Sequence, residues 1–183
     1  LTLYRGRESY IVDDAKAIDV FFGLREDIEK LSLANYFCEL AGEFSPENTE
    51  AHEFLSLTLN LLHLLSEDKR SADFLKPVGE LRMLALAGYM PDLAGCQFCG
   101  NELPDEPVFS LRHAGFFCRN CAPDGEGIPV TPGVINAMRH ICTCDDRALF
   151  AFRMPDSSLK ILGDITERYL LLQLGHKLRT LDF

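Results

Sequence analysis

Residues 96–121 read CQFCGNELPDEPVFSLRHAGFFCRNC, which is two Cys-x-x-Cys pairs separated by a polar loop rich in turn residues. A Cys-x-x-Cys turn places two thiolates on one side of a tight turn. Two such turns that face each other therefore supply the four soft ligands of a tetrahedral zinc ion. The spacing predicts a zinc ribbon with Cys96, Cys99, Cys118 and Cys121 as ligands.

The residues between the two pairs fit the same geometry. Gly100 follows the first pair, where a positive φ lets the backbone turn beneath the metal, and Pro104 and Pro107 shape the loop that follows. Residues 108–111 and 115–117 are apolar and are predicted to form two short strands that lead to Cys118.

Two other uses of the cysteine pairs are open. Disulfides would require a secreted context, and a redox-active pair would require a thioredoxin-like βαβ unit, and the chain has the pattern of neither. A catalytic zinc ion requires an open fourth position, whereas four thiolates fill the shell. The pattern favours a structural ion that contributes on the order of 10 kcal/mol to folding.

Composition sets the broad class. The chain has 183 residues, of which 47% are hydrophobic and 25% are charged, with a net charge of −10 and seven cysteines. This predicts one globular domain with a small appendage, in a reducing cytoplasmic compartment. The longest uncharged apolar run, residues 54–66, is shorter than the roughly 18 residues that would indicate a membrane span. Because the chain begins at Leu1 inside an apparent strand, we expect a piece of a longer protein.

The charge is unevenly distributed. Residues 133–183 carry 7 Lys or Arg and 6 Asp or Glu, whereas both preceding parts of the chain are acidic. Because phosphate binding depends on clustered positive charge, a nucleic-acid site on this chain has to be local.

The apolar pattern predicts a mainly helical fold. Residues 1–12 read as strand, turn, strand, with residues 16–22 as a possible continuation. Helical periodicity then predicts five helices. Their predicted extents are residues 24–42, from Ser45-Pro46 to about 65, from Pro77 to Gly88, from Thr131-Pro132 through Ile141, and from about Pro155 toward Leu178 and Leu181.

Two of the predicted helices carry specific expectations. In the first helix, the apolar face is expected to follow a central stripe and to include a small buried residue, Cys38. The stripe runs through Leu24, Ile28, Leu31, Asn35 and Cys38, and Leu33, Phe37 and Leu40 broaden it. The second helix is apolar almost all round. Its predicted face comprises residues 51, 54, 55, 58, 61, 62 and 65, and Leu57, Leu59 and Leu64 lie off that face. This pattern indicates the central helix of a bundle or, less commonly, a partner-binding groove.

Motifs of enzymes are scarce. The chain has no Gly-x-x-x-x-Gly-Lys loop, no Gly-x-Gly-x-x-Gly after a strand and no His-x-Glu before the cysteines. His140, Cys142 and Cys144 could form a second metal site or a Cys-His pair, but packing or solvation is the commoner use of such residues. His113 is interpreted as an exposed loop residue. We expect no enzymatic activity.

Residues 81–100, LRMLALAGYMPDLAGCQFCG, resemble the RecO family of bacterial DNA repair and recombination mediators. Further similar stretches are residues 24–27, residues 36–40, residues 115–118 and the C-terminal LGHKLRTLDF at 174–183. The resemblance covers nearly the whole chain.

This resemblance implies an N-terminal OB-fold followed by a helical domain that contains a zinc ribbon. Residues 1–23 would be the C-terminal remnant of the OB-fold, and residues 24–183 the helical domain, with the ribbon inserted at about 92–124. The implied function is that of a non-enzymatic mediator that binds and anneals DNA, mainly through the OB-fold that is largely missing here. It would engage the single-strand binding protein SSB and RecR, and promote RecA loading, in the bacterial cytoplasm and at the nucleoid. The alternatives are a zinc-stabilised protein-interaction module with no repair role and, more weakly, a hydrolase or transferase that uses the zinc.

Two sets of surface residues follow as candidates. The cations expected to contact DNA phosphates are Arg112, Arg119, Arg168, Lys177 and Arg179. A short acidic SSB tail with a terminal aromatic residue would need an apolar wall and a cation for its carboxylate. The candidates for that site are Leu57, Leu59 and Leu64 for the wall, with Lys177 and Arg179 for the charge.

Overall fold

The computed structural model describes residues 1–7, 9–45, 50–102 and 106–180. In this part of the chain, a β-hairpin precedes five α-helices, and a small four-stranded sheet lies between the third and fourth helices. The fold is therefore mainly α with an inserted ribbon, as the pattern predicts.

The N-terminal hairpin consists of β1 (Thr2–Arg5) and β2 (Tyr10–Asp14), which pair antiparallel. Both strands are exposed along their whole length. The expected continuation at residues 16–22 is wrong, because residues 15–21 are not in a strand and Phe22–Arg25 form a 3₁₀ turn.

The first helix, α1 (Ile28–Phe44), starts four residues later than predicted. The Asp27 carboxylate accepts hydrogen bonds from the backbone amides of Glu29 (2.8 Å) and Lys30 (3.4 Å). Such a cap satisfies free amides of the first turn and fixes the helix start. Gly42 does not end the helix, which continues for two more residues.

The predicted apolar face of α1 is confirmed only in part. The buried residues are Leu33, Ala34, Tyr36, Phe37 and Leu40, which include the three residues expected to broaden the face. On the central stripe only Leu24 is buried; Ile28, Leu31, Asn35 and Cys38 are exposed. The central stripe contains both apolar and polar residues. The face of α1 that becomes buried is the other one, because α2 and α3 pack against it.

Helix α2 (His52–Ser66) starts later than predicted, and Pro46, the expected first residue, lies outside the described residues. Its buried face largely agrees with the prediction, but Leu57 is buried with 5% exposure, whereas Leu55 is exposed. The helix is consequently not covered on all sides.

The central helix is α3 (Ala72–Leu86), which contacts all four other helices. Pro77 does not start it but lies within it, where burial of Leu75 and Val78 helps to offset the loss of one backbone hydrogen bond. A methyl group on Gly79 would come within 3.0 Å of Leu61 and Phe37, so this glycine lets three helices approach closely.

The last two helices largely follow the prediction. Helix α4 (Pro132–Thr143) is capped by Thr131, whose hydroxyl oxygen accepts from the Val134 amide at 3.4 Å. Helix α5 (Asp156–Leu174) ends at Gly175, which has φ 71°. Leu178 lies beyond this helix end yet is buried, and Leu181 is outside the described residues.

The ribbon sheet has the strand order β3-β5-β4-β6, formed by β3 (Asp92–Cys96), β4 (Val108–Ser110), β5 (Gly115–Phe117) and β6 (Ile128–Pro129). β4 and β5 pair antiparallel, as expected, whereas β3 joins β5 in parallel. Phe109 and Phe116 belong to the main hydrophobic core, and the Phe109 ring lies 6.0 Å from that of Tyr169 in α5. The sheet of the ribbon therefore packs directly against the helical bundle.

Within the described residues, none of the helices combines the length and the apolarity needed to cross a bilayer.

Candidate metal centre and basic groove

The four ribbon cysteines converge at one end of the sheet. Their Sγ atoms all lie within 4.8 Å of one another, and those of Cys99 and Cys118 are 3.7 Å apart. Four Zn–S bonds of about 2.3 Å in a tetrahedron place sulfur atoms about 3.8 Å apart. The donor set and its spacing therefore fit one tetrahedral zinc ion.

Local backbone geometry brings the ligands together. β3 ends at Cys96 and β5 ends just before Cys118, so the parallel pairing of these strands places the first ligand of each pair side by side. Gly100 adopts φ 74°, as predicted, and its amide donates to the Cys96 carbonyl oxygen at 2.8 Å. A hydrogen bond from the Cys121 amide to the Cys118 carbonyl oxygen (2.9 Å) closes the second turn.

The thiols of this cluster do not share one environment. Burial alone raises the pKa of Cys96, but backbone amides of Cys99, Cys118 and Phe98 stabilise its thiolate and lower the pKa to about 6. Desolvation raises the pKa of Cys121 to about 12, and hydrogen bonds and charge from Cys99 and Cys96 add to this rise. The sulfur atoms are too close to ionise together without a cation, and a bound divalent ion removes that repulsion.

Arg139 of α4 fastens the ribbon to the helical bundle. Its guanidinium donates hydrogen bonds to the carbonyl oxygens of Leu93 (2.7 Å), Ala94 (2.9 Å) and Glu102 (2.9 Å). One side chain thereby satisfies carbonyls on both sides of the first cysteine pair. The sequence pattern gave no indication of this role.

The second candidate cluster does not form a metal site. His140 Nε2 lies 3.0 Å from the Ala148 carbonyl oxygen, and its ring contacts Phe152 at 5.1 Å between centroids. Cys142 is buried, and desolvation raises its pKa to about 12. In the described part of the chain, the ribbon cysteines are the only group of three or more side chains arranged to hold a metal. His113 is exposed, as expected, and its ring contacts Phe117.

The five cations expected to contact DNA are all exposed, but they lie on three separate elements. Arg112 and Arg119 are on the ribbon, Arg168 is on α5, and Lys177 and Arg179 follow α5. Arg168 forms an ion pair with Asp164 at 3.1 Å. The Arg179 amide donates to the Glu39 carboxylate at 3.0 Å. The ion pair with Asp164 reduces the charge that Arg168 can offer to phosphate, whereas Glu39 contacts the backbone of Arg179.

The residues expected to form the peptide site are separated. Leu57 belongs to the core, Leu59 is exposed, and Leu64 lines a groove of about 760 Å³. Lys177 and Arg179 do not line that groove.

Four other cations do line it, and we call it the basic groove. Its lining is Ser56, Asn60, His63 and Leu64 from α2, Lys69 and Arg70 from the following turn, and Asp146, Arg147, Phe150, Ala151 and Arg153 from the loop before α5. Arg70 donates to the Phe150 carbonyl oxygen at 2.5 Å, which joins the two walls. Asp146 is paired with Arg82 at 3.0 Å. Arg147 and Arg153 are exposed and form no ion pair with any described residue.

The sequence pattern does not reveal this groove. Residues 68–71 read only as a connecting turn, and residues 147–153, RALFAFR, receive no role from their pattern. A local signal is present, because two arginines flank an aromatic run and Lys69-Arg70 follows a leucine-rich helix. Their convergence depends on how the loop before α5 packs beside α2, which sequence spacing does not reveal.

Comparison with known proteins gives one consistent result. The family model described as "Recombination protein O C terminal" matches residues 25–182. A "DNA repair protein RecO" of Acetivibrio thermocellus is 31% identical over 182 residues, which is 99% of this chain and 72% of that protein. A protein of the same description from Desulforudis audaxviator is 32% identical, and the alignment covers 99% of this chain and 72% of that protein. Another from Symbiobacterium thermophilum is 27% identical, and the alignment covers 99% of this chain and 73% of that protein.

Proposed function

Because this chain belongs to the RecO family of DNA repair proteins, we propose that it is a non-enzymatic recombination mediator. In this role it binds and anneals DNA, engages SSB and RecR, and promotes RecA loading. It acts in the bacterial cytoplasm, at the nucleoid. Part of its DNA binding belongs to an OB-fold of which β1 and β2 are the last strands.

The metal has a structural role in this proposal. One Zn²⁺ held by Cys96, Cys99, Cys118 and Cys121 supplies a tetrahedral cross-link between the two cysteine turns. Because four thiolates complete the coordination shell, no position is open for a metal-bound water. What the ribbon contributes is a fixed surface, held to α4 by Arg139.

The observation that carries the proposal is the basic groove. An acidic peptide with a terminal aromatic residue requires an apolar pocket, a cation for the α-carboxylate and further positive charge for its acidic residues. The groove combines Leu64, Phe150 and Ala151 with Lys69, Arg147 and Arg153. We therefore place the SSB tail in this groove, with Leu64 retained from the predicted site and Leu57 excluded by its burial.

Charge also makes the groove selective. The chain as a whole has a net charge of −10, so most of its surface repels an acidic peptide. A local set of cations that lack an ion-pair partner among the described residues attracts the peptide to one place. An interaction of this size is expected to have an affinity of about 1 μM and to weaken with salt.

Calorimetry with synthetic peptides tests the assignment. The double substitution Arg147→Gln/Arg153→Gln should weaken binding of an acidic peptide that ends in Phe by about tenfold, because each arginine contributes an attraction near the carboxylates. Removal of the terminal Phe from the peptide should also weaken binding, since the apolar pocket loses its occupant.

A matched control is Arg5→Gln/Arg7→Gln, which changes the net charge equally on the exposed hairpin. Equal affinity of the wild type and Arg147→Gln/Arg153→Gln, or of the two peptides, would show that the tail does not bind in this groove. Titration with a scrambled acidic peptide separates the proposal from a zinc-stabilised interaction module without a repair role. Such a module is expected to bind the SSB tail and the scrambled peptide with equal affinity.

A further inference from the structure

A second groove lies beside the basic groove and has the opposite charge. Its volume is about 780 Å³, and it is formed where the N-terminal turns of α1, α3 and α5 meet. We call it the acidic groove. It is lined by Glu29 and Leu33 of α1, by Ser71, Ala72, Asp73, Lys76 and Pro77 at the start of α3, and by Asp156, Leu159, Lys160, Gly163 and Asp164 of α5.

The inner part of the acidic groove is apolar. Leu33 and Pro77 are buried, and Ala72 and Leu159 are half-buried. The apolar surface that is exposed in the groove therefore belongs mostly to Ala72 and Leu159, since Leu33 is only 1% exposed. An apolar occupant would remove the exposed part of this surface from water, which favours binding.

A glycine, Gly163, is part of the lining of the acidic groove. It lies in the interior of α5, where glycine weakens a helix relative to alanine. A methyl group at this position would have no heavy atom of the described residues within 4 Å, so packing within the chain does not require a glycine. The missing side chain instead leaves the groove wide at its middle.

The rim of the acidic groove carries excess negative charge. Glu29, Asp73 and Asp156 form no ion pair with any described residue, and Asp164 is paired with Arg168 at its outer side. Lys76 is already engaged, because it forms an ion pair with Glu167 and lies 3.6 Å from the Glu80 carboxylate. Lys160 is the other cation of the lining.

We propose that the acidic groove binds a basic amphipathic segment of a partner protein. The apolar residues of such a segment would pack on Ala72 and Leu159, with the widest part of the groove at Gly163. Its Lys or Arg side chains would lie against the acidic rim. Because Arg70 and Ser71 are consecutive and line different grooves, the two sites share one wall and sort partner segments by the sign of their charge.

A peptide titration tests this proposal on the whole chain. The probe is a fluorescein-labelled helical peptide of about 18 residues, five turns, with leucines on one face and lysines on the other. Its counterpart has glutamate in place of every lysine. Fluorescence anisotropy should show saturable binding of the lysine peptide, whereas the glutamate peptide should not bind the acidic groove.

Two kinds of variant assign the binding to the groove. Asp73→Asn/Asp164→Asn should weaken the lysine peptide by about tenfold, because the rim then carries less negative charge. The matched control, Asp13→Asn/Asp14→Asn on the exposed hairpin, changes the net charge equally and should bind like the wild type. Gly163→Leu should abolish binding by filling the groove, with circular dichroism verifying that the helices persist.

The two alternative results are equally clear. Equal weakening by both charge variants would mean that the peptide responds to the net charge of the protein, and the proposal would be wrong. Failure of the lysine peptide to bind would likewise overturn the proposal. If sedimentation then shows self-association that Gly163→Leu abolishes, the occupant of the groove is a second copy of this chain.

Discussion

At the scale of single residues, the four cysteines differ in exposure although we propose one role for them. Cys96 and Cys118 are buried and belong to a small apolar cluster with Val108 and Phe117, whereas Cys99 is exposed. Each cysteine turn thus has an inner thiol fixed by packing and an outer thiol positioned by the turn. In the proposed site, replacement of an inner cysteine would remove both a metal bond and a buried apolar group.

Cys118→Ser should therefore lose the metal. A hydroxyl is a poor substitute for a thiolate, and three remaining cysteines do not close the tetrahedron. Metal analysis of the purified protein should give one zinc per chain for the wild type and essentially none for the variant.

The control for this substitution is Cys142→Ser, which changes another buried cysteine outside the ribbon and should keep its zinc. Helical circular dichroism of Cys118→Ser should largely persist, because the small cluster at the metal is separate from the main core. Stoichiometric zinc in Cys118→Ser would show that the ligand set is wrong.

At the scale of the helices, a buried polar network joins α1, α3 and α5. The Glu80 carboxyl on α3 is fully buried and accepts hydrogen bonds from the hydroxyls of Tyr36 (2.7 Å) and Thr166 (2.5 Å). Burial raises the pKa of Glu80, and the nearby Lys76 opposes this rise. A buried carboxyl with two donors fixes the relative positions of three helices, which apolar packing alone does less specifically.

This network predicts a pH dependence of stability. Because the native pKa of Glu80 is raised, the folded state holds the proton more tightly than the unfolded state does. The resulting stabilisation is complete below the unfolded value of about 4.5 and is lost as the pH rises toward the native pKa. Gln at this position does not titrate. The free energy of unfolding of the wild type minus that of Glu80→Gln should therefore decrease as the pH rises, by at most about 1.4 kcal/mol per pH unit.

Urea unfolding of both proteins between about pH 4 and pH 8 measures this difference. Glu53→Gln, a substitution of an exposed carboxylate on α2, provides the control and should track the wild type at every pH. If the free energy of unfolding of the wild type minus that of Glu80→Gln increases with pH, the assigned direction of the pKa shift is wrong.

At the scale of the whole molecule, charge is separated into local regions on an acidic protein. The basic groove and the acidic groove share the turn between α2 and α3, and the five cations expected to contact DNA lie elsewhere, on the ribbon and on or after α5. Long single strands would have to follow these cations across a surface that is negative overall. Binding to such a surface is expected to be weak and strongly dependent on salt.

Neutralisation of the five cations tests their role in DNA binding. Replacement of all five by Gln should weaken binding of an oligothymidylate, because each phosphate that the protein no longer neutralises keeps its counterion. The slope of log affinity against log salt should decrease in magnitude by about 0.7 for each such phosphate. The substituted residues are Arg112, Arg119, Arg168, Lys177 and Arg179.

The control replaces five other exposed cations that form no ion pair with a described residue, and should affect the slope less. Its residues are Arg25, Lys69, Arg147, Arg153 and Lys160. The same affinity and slope for the wild type and the first variant would refute the assignment of all five. The decrease should be smaller than that for five fully neutralised phosphates, since Asp164 engages Arg168 and Glu39 lies beside Arg179.

Several features of this protein were determined by short stretches of its sequence. Each Cys-x-x-Cys turn, the two short ribbon strands, the positive φ of Gly100 and the Thr131 cap all depend on residues within a few positions of one another. Local backbone geometry and side-chain chemistry are sufficient for such features, because the interacting groups are joined by only a few bonds. The same locality made the family resemblance recognisable from residues 81–100.

The tertiary structure alone decided the features that depend on distant contacts. Pro77 lies inside a helix because Phe74 and Leu75 before it are buried by other elements, and α1 buries Tyr36 and Phe37 because α3 lies on that side. Arg139 reaches carbonyls more than 35 positions away, and Arg147 and Arg153 line the basic groove together with Lys69, which is still more distant in the sequence. Such contacts depend on how whole helices pack together. That packing reflects the free energy gained by burying apolar surface and the conformational entropy lost by the chain, and no single stretch of sequence reveals this balance.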